Sequence, residues 1–476
     1  MALEYREIKA TPNLPNSMAT EQNRNERMEK IVSLCKRKGF IFQSAEIYGG
    51  LNGCWDYGPL GAELKRNLKN YWWQKNVIER DDIVGLDGSV LNHQDMLKAS
   101  GHVGGFSDPM VDCRTCKARF RADQVCEAKC QEKPSKSPEE NGCDLTEARE
   151  FNLMFQTSMG ASQDETSIAY LRPETAQSIF VQFKNVCDQT GERIKMPFGI
   201  AQIGKAFRNE INPRNFTFRS REFEQMEIEF FCREEDGLRL TDEWLETRIQ
   251  FYESIGIPRD KLHILDVPDG ERAHYSSKTY DIEYDFPFGI QELEGVAYRS
   301  DHDLKAHSEA VGKPQEYIDQ AAGEKFIPHV VEPSAGCDRT ILALICEAYD
   351  EETITNDKGK EETRTVMRFD PKMAPIKCAV FPLLKNKPDL VSKAKEVKAL
   401  LTPLMNAAYD ETGAVGRRYR RQDEIGTPFC ATIDFDTIGE NGPELEDTVT
   451  VRDRDSMAQE RVKISELPGY IASRMS

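Results

Sequence analysis

The stretch FRNEINPRNFTFRSREFEQMEIEFF, residues 207–231, alternates so regularly that a pair of β-strands is its natural fold. Arg208 and Glu210 then share one face of a first strand. In a second strand, Arg219, Arg221, Phe223, Gln225, Glu227 and Glu229 share a face, and Met226, Ile228 and Phe230 take the other. Asn212, Pro213 and Asn215 between them supply the chemistry of a hairpin loop. The predicted product has an apolar underside and a face carrying cations, acids and an aromatic ring. Such a face is either solvated or the floor of a binding site.

The rest of the chain narrows the choice. Its 476 residues exceed one ordinary core, so two or three domains are expected. No apolar run reaches membrane-spanning length. Residues 1–29 are polar and lack the apolar centre of a signal peptide, so they read as a flexible leader of a cytoplasmic protein. A net charge of −18 argues against a broad nucleic-acid coat but leaves room for local basic patches. Thirteen scattered cysteines suit reduced thiols.

Helical spacing places Leu64, Leu68, Tyr71 and Trp72 on one side of a helix. Alternation in TYDIEYDF gives Tyr280, Ile282, Tyr284 and Phe286 one buried face. Residues 111–150 form a hydrophilic, cysteine-bearing insertion, and CDRTILALICEAYDEE reads as an apolar helix. From about Pro371 the pattern becomes strand, helix, strand, strand, which suggests a separate α/β domain at 371–476.

The hairpin, the upstream ASGHVGGFSDP and the downstream EPSAGCDRT together resemble the signature motifs of class II aminoacyl-tRNA synthetases. IFQSAEIYGGLNGCWDYGPLG, RPETAQ, FEQMEIEFF, ELEGVAYRSDHDL and EPSAGCDR narrow the resemblance to the homodimeric glycyl-tRNA synthetases, from about Lys30 to the C-terminus. The resemblance implies an α+β fold. A class II antiparallel sheet flanked by helices would occupy 30–365, and an α/β anticodon-binding domain would follow. It also implies a homodimer that activates glycine with ATP and Mg²⁺ and transfers it to the 3′ end of tRNA(Gly).

By the same resemblance, Arg208 meets the α-phosphate, where an arginine fork suits a phosphate gaining charge. Arg208, Glu292 and Arg339 are the implied catalytic residues. Glu210 lies near the adenine amino group, Arg219 reaches the outer phosphates, and Phe223 and Arg339 sandwich the base. Asn209, Phe218, Arg221, Leu293, Gly336 and Asp338 complete the implied ATP site, and Glu292 ligates Mg²⁺. Glycine offers only an ammonium, a carboxylate and its smallness. The implied pocket is accordingly acidic: Glu174, Glu227 and Glu332, with Lys98, Phe223, Gln225, Ser334 and Gly336. Taken singly, Glu174 also reads as a helix N-terminal charge and Glu332 as a rim acid. Ser100 and His102 fall beside this pocket, and His102 also reads as a core histidine.

Arg299 is placed toward the acceptor end of tRNA, with an ion pair to Asp301 or Asp303 as the alternative. Arg417, Arg418, Tyr419, Arg420 and Arg421 combine cations and a ring, as unpaired bases require; a solvated hairpin face is the other reading. Cys113, Cys116, Cys126, Cys130 and Cys143 raise a zinc site, since four thiolates at about 2.3 Å satisfy that ion. The second C-x-x-C of zinc-bearing relatives is not intact here, so zinc stays open. Two other functions compete: a binding-only descendant of the fold, and a synthetase for alanine or serine. Retention of Arg208, Glu292 and Arg339 disfavours the first, and the triple acid pocket the second.

Overall fold

Seven strands make the central sheet: β1 (Ile83–Gly85), β2 (Phe198–Phe207), β3 (Glu222–Cys232), β4 (Leu262–Asp266), β5 (Lys278–Phe286), β6 (Gly289–Ser300) and β7 (His329–Gly336). Their spatial order is β4-β5-β6-β7-β3-β2-β1, antiparallel throughout except for the β1–β2 pair. The computed structural model describes residues 17–126, 128–133, 135–161, 167–189, 194–273, 275–355, 359 and 361–475, with side chains from residue 23.

Helices cover both faces: α1 (Ser17–Lys38), α2 (Pro59–Trp73), α3 (Gln94–Ala99), α4 (His102–Gly105), α5 (Ala176–Gln189), α6 (Gly237–Ser254), α7 (His302–Val311) and α8 (Cys337–Ala348). On one face, Met226, Ile228 and Phe230 of β3 join Tyr280, Ile282, Tyr284 and Phe286 of β5. They pack against Leu34 of α1, Leu64, Leu68 and Trp72 of α2, Tyr252 of α6 and Ile341 of α8. On the other face Phe180 and Phe183 of α5 and Leu304 of α7 close over Phe198, Ile200 and Phe231. Each buried phenylalanine contributes about 1.5–3 kcal/mol. Gln225, Glu227 and Glu229 of β3 lie on this second face, whereas Glu224 turns to the first, where it meets Lys65 and Lys69 of α2.

The hairpin differs from its expected form. Strand pairing stops at Phe207↔Glu222, so Arg208, Glu210, Arg219 and Arg221 stand in the connection and not in strands. Within it Asn215 and Phe216 adopt left-handed backbone, φ 57° and 58°. That turn seats the Phe216 ring 4.6 Å from Trp55. Tertiary packing thus overrides the local alternation.

Other boundaries shift for similar reasons. Helix α1 begins inside the expected leader, because Arg27 donates to the carbonyls of Cys346 and Tyr349 and Lys30 pairs with Glu351 at 2.6 Å. Residues 1–16 lie outside the described residues. The insertion carries strand pairing, with Ser107–Asp112 bonded to Arg119–Arg121 and Arg149–Asn152. Helix α8 stops at Ala348, and its expected tail runs into the hairpin β8 (Tyr349–Thr355) and β9 (Glu361–Met367).

The C-terminal unit has its own sheet: β10 (Cys378–Pro382), β11 (Ala407–Tyr409), β12 (Phe429–Ile433), β13 (Thr448–Asp453) and β14 (Gln459–Lys463), ordered β11-β10-β12-β13-β14. With α9 (Pro388–Leu401), α10 (Val415–Asp423) and α11 (Leu467–Ala472) it encloses a separate core around Val380, Leu390, Val397, Val449 and Ile471. The basic stretch, for which a hairpin face stands as the alternative to a base-binding patch, is helix α10. Among the described residues no helix is long and apolar enough to cross a membrane.

Candidate active site

A cavity of about 360 Å³ opens on the polar face of β3, within the range of small-ligand sites. Phe223, Gln225 and Glu227 supply its floor from one strand face, as parity requires. Arg208, Glu210, Phe218 and Arg219 enter from the connection; Glu292 and Leu293 from β6; Glu332, Ser334 and Gly336 from β7; Asp338 and Arg339 from the start of α8; and Glu174 from just before α5.

The charges fall into two groups. In the first, Arg339 donates to Glu292 Oε2 at 3.0 Å and lies 4.4 Å from the Phe218 ring centroid. Arg208 donates to the Pro173 carbonyl at 3.1 Å and lies 5.4 Å from the centroid of Phe223. Arg339, with Arg208 and Arg219 beyond it, lowers the pKa of Glu292 despite burial. Asp281, on the same wall, is lifted to about 7 by burial and by Glu292 and Glu283.

In the second group, Glu227 accepts from Ser334 Oγ at 2.7 Å and from the Thr175 hydroxyl. Glu332 takes both its bonds from Arg299 Nη1 at 3.0 Å, while Arg299 Nε donates to Asp303 at 2.8 Å and its guanidinium lies 3.9 Å from the centroid of the Tyr275 ring. Glu174 lies 3.3 Å from His102 Nε2, whose Nδ1 meets Ser100 Oγ at 2.8 Å. Burial pushes Glu174 up, but His102 and Arg299 more than reverse this and hold it below the ordinary range. Burial and Glu174 raise Glu227. A buried acidic pocket of this kind suits a small cation.

Several expected site residues stand elsewhere. Lys98 is exposed on α3 and faces Asp95, because the α3 core position is Leu97. Asn209 is not on the cavity wall; its backbone N–H donates to the Leu153 carbonyl. Arg221 turns back to the carbonyls of Glu210 and Asn52, where it fastens the connection. Asp338 touches the cavity but spends its carboxylate on Tyr57, Lys65 and the Glu224 N–H. Arg299 is buried and committed to two acids, so it is not available to tRNA here. On α10, Arg418 is buried against the carbonyls of Pro382, Glu411 and Gly413, and Arg421 is paired with Asp410. Arg420 faces Glu362 and Asp423, and Tyr419 bonds Thr432; Arg417 remains exposed.

The wall also holds residues that pattern did not mark: Arg272, Tyr275 and Asp281. Arg272 ties its own loop through the carbonyls of Val267 and Ser277. Irregular loops leave no periodic trace. Asp281 did carry a signal, as the polar phase of the alternating strand β5.

Four of the five cysteines form a linked group, and the exposed Cys126 stands apart from it. Cys113 neighbours Cys116 and Cys143, and Cys143 Sγ lies 3.6 Å from Cys130 Sγ. Backbone N–H groups point at two of the sulfurs. That of Cys116 heads the causes lowering Cys113, and that of Lys133 those lowering Cys130, whereas burial pushes Cys143 up to about 11. Donors aimed at sulfur favour thiolates, and Cys113, Cys116, Cys130 and Cys143 offer the four that zinc takes. No three of these sulfurs lie within 4.8 Å of one another, so a bound ion would have to draw them together.

Two family models match the chain. One, described as tRNA synthetase class II core domain (G, H, P, S and T), covers residues 155–349; the other, anticodon binding domain, covers 377–474. A glycine–tRNA ligase from Thermobifida fusca is 50% identical over 467 residues, covering 95% of this chain and 99% of the relative. That of Streptomyces coelicolor is 49% identical, covering 94% and 99%. That of Thermus thermophilus is 46% identical over the same shares.

Proposed function

We propose that this chain, which belongs to the glycine–tRNA ligase family within the class II tRNA synthetases, joins glycine to ATP in the cavity over β3. It is an aminoacyl-tRNA ligase. Glycine's carboxylate attacks the α-phosphate and pyrophosphate leaves; the terminal ribose hydroxyl of tRNA then takes the glycyl group from the adenylate. Catalysis of such a transfer is chiefly positioning and charge neutralisation.

One observation carries the placement: a single strand face joins the two charge groups. Phe223 to Glu227 spans about 13 Å of β-strand, at roughly 3.3 Å per residue, which matches an extended adenylate. In this reading adenine lies on Phe223 and beside Arg339, Arg208 meets the α-phosphate, and Arg219 meets the outer phosphates. The glycine ammonium enters among Glu174, Glu227 and Glu332. A buried acid pocket roofed by Tyr275 excludes larger amino acids by clash, the easier direction of discrimination. Glu292 and Asp281, on one wall of the cavity, offer the hard oxygen ligands that Mg²⁺ takes. Bound there with ATP, the ion would neutralise phosphate charge.

The C-terminal unit is assigned to the anticodon, with Arg417 the exposed cation of the α10 cluster. Zinc at the four linked cysteines, a cytoplasmic location and pairing of two copies complete the reading. The last rests on resemblance to the homodimeric type. Sedimentation of a species of one chain's mass would remove it. ATP–pyrophosphate exchange with glycine, alanine and serine tests the central claim. Exchange with glycine alone is expected; exchange with alanine alone assigns the pocket wrongly, and none at all supports a binding module.

A further inference from the structure

Glu229 follows Glu227 on the same face of β3, and Phe231 follows Glu229. Glu227 faces the cavity, whereas Phe231 packs among Phe183 and Phe198. Glu229 therefore sits where a polar pocket gives way to an apolar core. It is 0% exposed, and neither carboxyl oxygen has a hydrogen-bond partner among the described residues. Even so, one oxygen each of Glu227, Glu229 and Glu332 lie within 4.8 Å of one another.

The surrounding charges do not balance an ionised Glu229. Its own strand brings Glu227, β7 brings Glu332, β6 brings Arg299 and α7 brings Asp303; Glu174 and His102 lie across the pocket. Arg299 is already divided between Glu332 and Asp303. From α5 come Phe180, 5.3 Å from Arg299, and Gln177, whose amide donates to Glu174 and Asp303. A carboxylate buried without a donor or counter-ion costs many kcal/mol, and such groups neutralise instead.

We propose that Glu229 is held as a neutral carboxylic acid in the working enzyme and acts as a positioning residue for the glycine pocket. Uncharged, it leaves Arg299 committed to Glu332 and Asp303, so that Glu174 and Glu227 present their charge to the ammonium. Ionised, it would compete with Glu332 for the same guanidinium. Burial, with Glu332 next, drives its proton affinity well above the ordinary value and agrees with this state. The inference rests on the glycine reading of the pocket given above.

Infrared difference spectra between the full-length protein and Glu229→Gln test the proton directly. A protonated-carboxyl C=O band that is present in the wild type near neutral pH and lost in the variant is expected. In exchange assays Glu229→Ala should raise the glycine KM by about tenfold or more with the ATP KM unmoved, and Glu229→Gln should rescue it to within about twofold. Three results overturn the proposal: no band lost, a tenfold glycine KM increase in Glu229→Gln, or a stoichiometric metal ion that disappears in that variant. Failure of the wild type to activate glycine would instead remove the pocket assignment, while the infrared band would still report the proton.

Discussion

Arg208, in the connection beside Phe223, and Glu227, farther along β3, belong to different charge groups of the cavity and should fail in different ways. Arg208 lines the cavity and is held by the Pro173 carbonyl and the neighbouring Phe223 and Phe106 rings. Arg208→Ala is expected to lower ATP–pyrophosphate exchange by at least ~100-fold, about 3 kcal/mol of transition-state stabilisation. Its circular dichroism should not change; exchange near wild-type level would disprove the assignment. Glu227→Ala should raise the glycine KM far more than the ATP KM. Equal losses would move the ammonium elsewhere. Glu224 tests a structural charge. Burial pushes its pKa up, but Lys65 and Lys69 more than compensate and leave it at about 2. A depressed carboxyl stabilises the fold above its ordinary pKa of 4.5 and loses that contribution as pH falls toward 2. The melting temperature should therefore drop on acidification from about pH 5 to 3, and Glu224→Gln should flatten part of that drop. Parallel curves for the two proteins would contradict it.

At the scale of elements, the connection between β2 and β3 is fastened more firmly than a solvent-exposed loop. Arg221 binds two carbonyls of the chain around it, and Asp338 joins α8 to β3 through Lys65 and the Glu224 N–H. These bonds hold Arg219 and Arg339 on the cavity wall without a ligand. The cysteine-bearing insertion has a different anchor. Its small core, Val111, Cys113, Phe120 and Val125, buries too little to hold together strongly by itself. Zinc would supply the missing cross-link. Metal analysis is expected to find one zinc per chain, retained by Cys126→Ser and lost by Cys143→Ser. Retention in both variants would refute the four-cysteine set.

Across the whole molecule, a buried ionic network joins the two units. Arg364 of β9 donates to Asp423 of α10 at 2.9 Å, and Arg452 of β13 reaches the same carboxylate at 2.9 Å. Arg454 ties in through the carbonyls of Phe369 and Gly426. Removing one partner of a buried pair leaves the other uncompensated, at a cost of about 3–5 kcal/mol. Asp423→Ala should lower the melting temperature and impair tRNA charging more than glycine activation. An unchanged melting temperature would mean that the network contributes nothing. The charges of α10 are largely spent on this internal work, which the run of arginines in sequence does not reveal. Parity along 223–229 and the apolar phases of β5 and α2 were legible without a structure, because strands and helices repeat at fixed intervals. The same alternation gave Glu229 a face but not its burial, since α5 and the apolar cluster arrive from distant segments. It also missed the stop at Phe207, where Trp55 and the bonds of Arg221 win over local pattern. By itself the sequence determined which side chains share a strand face, and hence that acids and cations would meet on one floor. Only tertiary structure decided which of those charges remain free for a ligand and which are consumed within the protein, because a charge is neutralised by whatever the fold brings beside it.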